Sequence, residues 1–219
     1  LAMQAAERKP DAILFLGDAV DFGPDPKACL SWLSRHAIHA VRGNHDNALA
    51  TGMDCLCEEE YRDLALATRK YTARALSPEE ISYLGEWPLE AYINLEGARF
   101  YLTHAAPSNH LFKYLNVATA REEELREEIA GIEADVIFLG HTHIPALRKM
   151  GDTYLVNPGS LGQPRHGTPS ATYALWEDEK LAIRHVDYNW AETQRKLALL
   201  PMEPEEIKRL QDILERGGS

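Results

Sequence analysis

The chain of 219 residues has 45% hydrophobic side chains and a formal charge of −11, from 34 acidic against 23 basic residues. That length supports a single domain with a full core. The acidic balance, without a long basic run, disfavours nucleic-acid binding, and no apolar run approaches the ~20 residues of a membrane span. Cysteines at 29, 55 and 57 lack the spacing of a disulfide framework or a zinc ribbon. A reducing, cytoplasmic setting is the expectation.

In chain order, residues 1–8 read as the tail of a helix. "DAILFLGD" is a buried strand ending at Asp18, and "DPKACLSWLSRH" a helix with Asp25 as N-cap and Pro26 in its first turn. "AIHAVRG" gives a second strand. Apolar or small residues at 61, 64, 65, 68, 72, 75 and 76 follow a helical period, predicting an amphipathic helix over 58–76 with Arg62, Arg69 and Lys70 on its polar face. "LSPEEI" starts another helix, with Ser77 as cap, Glu80 closing a capping box, and Leu76 and Ile81 as a hydrophobic staple.

Residues 89–104 read as a hairpin around "EG". "TAREEELREEIAG" is a helix ending at Gly131, and "ADVIFLGHTH" a fourth apolar strand. Shorter strands are expected over 152–156, 170–176 and 180–187, and a last helix over 204–216. Alternating strands and helices predict an α/β fold.

Four apolar runs end in residues able to bind metal: Asp18, then Asn44, His45 and Asp46 in "VRGNHDN", His104 in "YLTH", and His141 with His143 in "FLGHTH". Ligands in open α/β sheets gather at the carboxyl ends of strands, so these groups can converge in one crevice. In an extended segment His141 and His143 would point the same way, with Thr142 turned aside. Imidazoles, a carboxylate and an amide oxygen suit Mn, Fe, Zn, Ni or Mg rather than a Cys-rich structural zinc. Two such ions ~4 Å apart would hold a hydroxide and clamp phosphoryl oxygens, a design for phosphate-ester hydrolysis.

"GD", "GNHD", a later "TH" and "GHTH" together resemble, in order and spacing, the blocks of calcineurin-like metallophosphoesterases. "NPGSLGQPRHGTP" resembles the run after "GHTH" in their small bacterial phosphodiesterase branch. The resemblance implies a four-layer α/β/β/α sandwich of two mixed sheets in one domain over 1–219. It implies two divalent ions, with Asp18 bridging, Asn44, His104 and His141 completing one site, and His143 belonging to the other. His45 would lie by the substrate phosphate and stabilise the transition state or protonate the leaving oxygen, with Asp46 orienting its ring. The family's first block, D-x-H on a first strand, is not in this sequence, and an upstream strand and loop of at least about ten residues is expected to carry it.

The expected substrate is a small phosphate ester, with nucleotides among the candidates. Arg165 is a candidate phosphate contact, and His110 and His166 are loop candidates for substrate contact. Asp21 and Asp25 read as turn and cap residues, and Cys55 and Cys57 as incidental thiols. The stretch from Tyr61 to Arg74 is either a basic substrate cap or a solvated helix face. Two other functions compete: a non-catalytic protein-interaction scaffold on the same fold, and a nuclease.

Overall fold

The computed structural model describes residues 10–218, so the helix tail expected over 1–8 lies outside the described residues. Strand β1 (Leu14–Phe15) pairs in parallel with β2 (His39–Ala40), and helix α1 (Pro26–His36) connects them. Three helices follow: α2 (Asn44–Thr51), α3 (Glu59–Ala75) and α4 (Pro78–Glu86). The capping box forms as the sequence requires, with Ser77 N donating to Glu80 Oε2 at 2.8 Å and Glu80 N to Ser77 Oγ at 3.3 Å.

Strands β3 (Glu90–Leu95) and β4 (Ala98–Thr103) form the expected hairpin. Its two-residue loop has positive φ at both Glu96 and Gly97, the twist that suits a tight hairpin. After α5 (Glu122–Glu128) come β5 (Val136–Phe138), β6 (Ala146–Met150) and β7 (Thr153–Asn157). The five strands form one mixed sheet in the order β3-β4-β5-β7-β6, with β4, β5 and β7 parallel. Hairpin β8 (Ala171–Glu177) and β9 (Lys180–Val186) is followed by α6 (Trp190–Leu197) and α7 (Pro204–Arg216).

Strand alternation divides the core and produces the layers. Tyr101, Ile137 and Leu155 point from one face of the five-stranded sheet onto Leu125 of α5 and the loop residues Leu115 and Val117. Phe100, Leu102, Val136, Phe138 and Val156 point from the other onto Leu14, Leu16 and Val41 near β1 and β2, and onto Ala174, Trp176 and Leu181 of the β8-β9 hairpin. Phe15 and Ala40 face outward again, onto Leu30 and Leu33 of α1 and Leu84 of α4. The α/β/β/α layering expected of the sequence is therefore present. Its second β-layer consists of two separate pairs among the described residues. No described helix is long and apolar enough to cross a membrane.

Several elements depart from expectation for local reasons. The second strand is cut to two residues because the chain turns at Gly43 into α2, whose "NHDN" start looks like a turn in sequence. Strand β6 carries Arg148 and Lys149 on an edge position, where charges protect an unpaired strand but obscure its pattern. Helix α6 was not expected; it packs only Leu197 fully, beside Leu210 and Leu214 of α7 and Leu64 of α3. Asp25 precedes α1 without a side-chain cap bond and pairs instead with Lys196 Nζ at 2.5 Å.

Candidate metal centre

The loops after β1 and β2 meet because two glycines remove the obstruction. A Cβ on Gly43 would lie 2.0 Å from Asp18 Oδ1, and one on Gly17 would lie 2.5 Å from Gly43 N. Asp18 itself sits at φ 61°, a conformation held by its neighbours rather than by preference. Gly43→Ala should therefore cost about 1–3 kcal/mol of stability and weaken metal binding, as read by thermal denaturation with and without added Mn²⁺.

Asp46 does not touch the His45 ring, which corrects the role expected for it. As the third residue of α2 its carboxylate turns back, accepting N–H bonds from Asp18 at 2.7 Å, Ala19 at 2.9 Å and Gly43 at 2.9 Å. It locks the two loops together. The carboxylate beside His45 is Asp21, whose Oδ2 lies 2.9 Å from His45 Nδ1. Asp21 is thus more than a turn residue. Arg69 reaches in from α3 to the same oxygen, with Nη2 at 3.0 Å and Nε at 3.2 Å. A helix face that reads in sequence as a basic substrate cap or a solvated face therefore supplies one half-buried cation to the site.

Burial alone would lower the His45 pKa, but the charge of Asp18 and the bond and charge of Asp21 outweigh it and raise the pKa to about 9. At neutral pH the ring is an imidazolium with Nδ1–H committed to Asp21. Its Nε2–H remains to donate elsewhere. The His45 backbone N–H donates to Asp18 Oδ1 at 3.0 Å, fixing the carboxylate from the other side.

Four further groups converge on His104, at the end of β4. Its Nε2 lies 3.1 Å from Asn44 Oδ1, 3.2 Å from His141 Nδ1 and 3.3 Å from Asp18 Oδ2. Its Nδ1 lies 2.7 Å from the Leu16 carbonyl and donates to it, which leaves Nε2 as the atom turned toward the other groups. Asn44 Nδ2 donates to the Cys55 carbonyl at 2.7 Å, which fixes the amide with its oxygen toward His104. Acceptors thus crowd together in a buried space, an arrangement that a cation resolves.

His141 and His143 are not extended. Their φ values are 65° and 58°, and Thr142 N bonds back to Gly140 O at 2.7 Å, so the pair sits on a left-handed turn. Asn157 of β7 braces the turn, donating to Gly140 O at 2.7 Å and Thr142 Oγ1 at 3.0 Å. His141 Nδ1 faces His104, while its buried Nε2 has no hydrogen-bond partner among the described residues and Tyr114 lies over the ring at 4.0 Å. His143 Nδ1 donates to Gln163 O at 2.8 Å, leaving Nε2 as its acceptor.

Burial pushes the His141 pKa down to about 2, with the adjoining His104 ring acting the same way. Burial, then the charge of Arg165, takes His143 to about 3. Both rings are neutral at pH 7, the form that ligates metal. Burial would raise Asp18, but the surrounding His104, His45 and His141 rings and the His45 N–H outweigh it and bring its pKa to about 2. A carboxylate, an amide oxygen and three imidazoles fit one or more divalent ions of borderline hardness.

The loop candidates separate. Arg165 reaches the rim, where its N–H donates to the His143 carbonyl at 3.3 Å, its Nη1 pairs with Glu58 at 2.9 Å, and its guanidinium lies over Tyr61 at 4.3 Å. His110 bonds Thr103 Oγ1 at 3.2 Å, and His166 sits on Ser170 and His185; neither touches the residues gathered around His104. No local motif marks Tyr114; Gln163 lies within the "NPGSLGQPRHGTP" run, where only Arg165 and His166 stood out as candidates. Asp21 had a signal, as an aspartate three residues after Asp18.

The model for the calcineurin-like phosphoesterase superfamily domain matches residues 1–180. Phosphodiesterase YfcE of Escherichia coli K12 is 32% identical over 184 residues, covering 78% of this chain and 74% of its own. An uncharacterized protein of Methanocaldococcus jannaschii is 26% identical over 203 residues, covering 84% and 79%. In structure, a metallophosphoesterase from Sphaerobacter thermophilus superposes with a TM-score of 0.77 at 24% identity, covering 95% of this chain and 92% of that one. A hypothetical protein from Pyrococcus horikoshii gives 0.81 at 21% identity, covering 100% and 90%.

Proposed function

Because the chain belongs to the calcineurin-like phosphoesterase superfamily and is a phosphoric ester hydrolase of that family, we propose that it cleaves small phosphodiesters at the site around His104, using two divalent ions. Asp18, Asn44, His104 and His141 would hold one ion, and His143 would serve the other, with Asp18 shared. Bound there, the ions would supply an activated water at neutral pH and neutralise phosphoryl charge. Manganese is a natural first choice for the donor set, which contains no thiolate.

The observation that carries this reading is the pairing of a knot of buried acceptors with a buried imidazolium. Asp18 is held rigid, with Oδ1 on the His45 N–H and Oδ2 against His104. His45 then donates the Nε2 proton to the departing oxygen, while Asp21 and Arg69 keep Nδ1 and the ring in place. Arg165 exchanges its Glu58 partner for a phosphate oxygen of the substrate. A non-catalytic scaffold has no use for an imidazolium held by a buried carboxylate and a guanidinium. A nuclease fits the charge of −11 poorly. The diester preference follows the name of the Escherichia coli relative; nucleotides are among the candidate substrates.

The test is hydrolysis of bis(p-nitrophenyl) phosphate by the protein stripped with a chelator and then given Mn²⁺. Stripping should abolish turnover and Mn²⁺ should restore it, with slower cleavage of the matching monoester. Undiminished turnover after complete removal of metal would overturn the proposal.

A further inference from the structure

Cys55 and Cys57 take no part in the hydrolysis proposed above, yet the fold puts their sulfurs 3.3 Å apart. Leu56 between them has φ 48°, which turns the loop so that both side chains fall on one side. Cys55 is buried against Ala48 and Ala65, and Cys57 is half-buried. Donor atoms of both thiols and of His45 lie within 4.8 Å of one another. The Cys55 carbonyl is the group that orients the Asn44 amide, at 2.7 Å.

A soft metal ion shared by these groups is the first alternative. Two thiolates at Zn–S distances of about 2.3 Å on a tetrahedral ion stand about 3.8 Å apart, wider than the 3.3 Å seen here. The Arg69 guanidinium beside Cys55 also opposes a second cation. Oxidation meets neither objection, since a disulfide requires the sulfurs to close to about 2.05 Å. We propose that Cys55 and Cys57 form an oxidation site that a hydroperoxide converts to an intrachain disulfide, and that closure loosens Asn44 in the metal centre.

The chemistry balances with the peroxide as sole oxidant. One sulfur, as thiolate, attacks a peroxide oxygen; an S–O bond forms, the O–O bond breaks, and the other oxygen leaves protonated. The second thiol then attacks the sulfenic sulfur; the S–S bond forms, the S–O bond breaks, and hydroxide departs with the thiol proton as water. The two thiols lose two electrons and two protons in all. Closing the sulfurs by about 1.2 Å must swing the Cys55–Leu56–Cys57 segment and with it the carbonyl on Asn44. Losing such an outer partner weakens metal binding by about 10-fold or more.

Only the coupling to metal rests on the hydrolase reading, and the test separates the two. The whole chain is treated with hydrogen peroxide, alkylated and digested with trypsin, which releases residues 43–62 with both cysteines and without Cys29. That peptide should be two hydrogens lighter and unalkylated, and dithiothreitol should reverse the change. Mn²⁺ affinity should fall about 10-fold on oxidation, and Cys57→Ser should show neither effect. A peptide still carrying two alkyl groups, or a sulfinic acid at one cysteine with the other alkylated, would overturn the oxidation site. A disulfide with unchanged Mn²⁺ affinity would overturn the coupling. Absence of hydrolysis in untreated protein would count against the hydrolase reading and leave the peptide result standing.

Discussion

Replacing His45 with Gln should lower kcat by ~10²- to 10⁴-fold, the range expected when a positioned general acid is lost. Metal content should stay at the wild-type value, because the backbone N–H that holds Asp18 remains. Turnover in the wild type should fall above the pH at which the imidazolium loses its proton, which the bond to Asp21 keeps above the ordinary histidine value. The sign follows from the cause: Asp18 and Asp21 favour the charged ring, so the acid is fully present below that pH. Asp21→Asn removes a hydrogen-bonded anion and should move the alkaline limb to lower pH. Asp46→Asn, which leaves the ring untouched, should cost stability by weakening the bonds to Asp18, Ala19 and Gly43. The pH–rate profiles of the wild type and the three variants, with thermal denaturation of Asp46→Asn, distinguish these outcomes.

The second large effect belongs to His104→Ala. Its Nε2 is the point on which Asn44, His141 and Asp18 converge, and its loss should reduce metal affinity at least ~100-fold, at or beyond the upper range for an outer partner. Turnover at limiting metal should disappear with it. Metal raises the stability of the wild type by mass action, since it binds only the folded site. In His104→Ala that thermal shift should vanish. The metal-free melting temperature should change little, because the variant removes a crowded ring nitrogen as well as a packed ring.

The layers were legible in sequence wherever burial imposed a period. The apolar runs of β4 and β5, the helical stripe of α3 and the cap of α4 fell where pattern and capping placed them, whereas the run before Asp18 is a half-buried strand over Leu14–Phe15 alone. Elements whose residues serve something other than the core were harder to see. Strand β6 is charged because it is an edge, and α2 begins with residues chosen for what they hold rather than for helix propensity.

The same distinction runs through the site. His104 and His141 converge because each follows a core strand, and Asn44 joins them as the first residue of α2. The partner of His45 could not be chosen by nearness in sequence, because Asp46 is drawn backward by three N–H groups while Asp21 lies across the loop. Arg69 comes from 48 residues away and is a long-range contact that no local motif encodes. The left-handed turn at His141 and His143 was likewise hidden, since a "GHTH" run reads as extended until Asn157 is seen bracing it.

The most direct measurement is phosphodiester turnover by the whole chain as a function of Mn²⁺ bound per chain, carried out in parallel on His45→Gln. Turnover should rise with bound metal to a plateau at two ions per chain, and His45→Gln should bind the same metal with turnover lower by ~10²-fold or more. Saturation with metal without turnover, or equal turnover by the two proteins, would contradict the account.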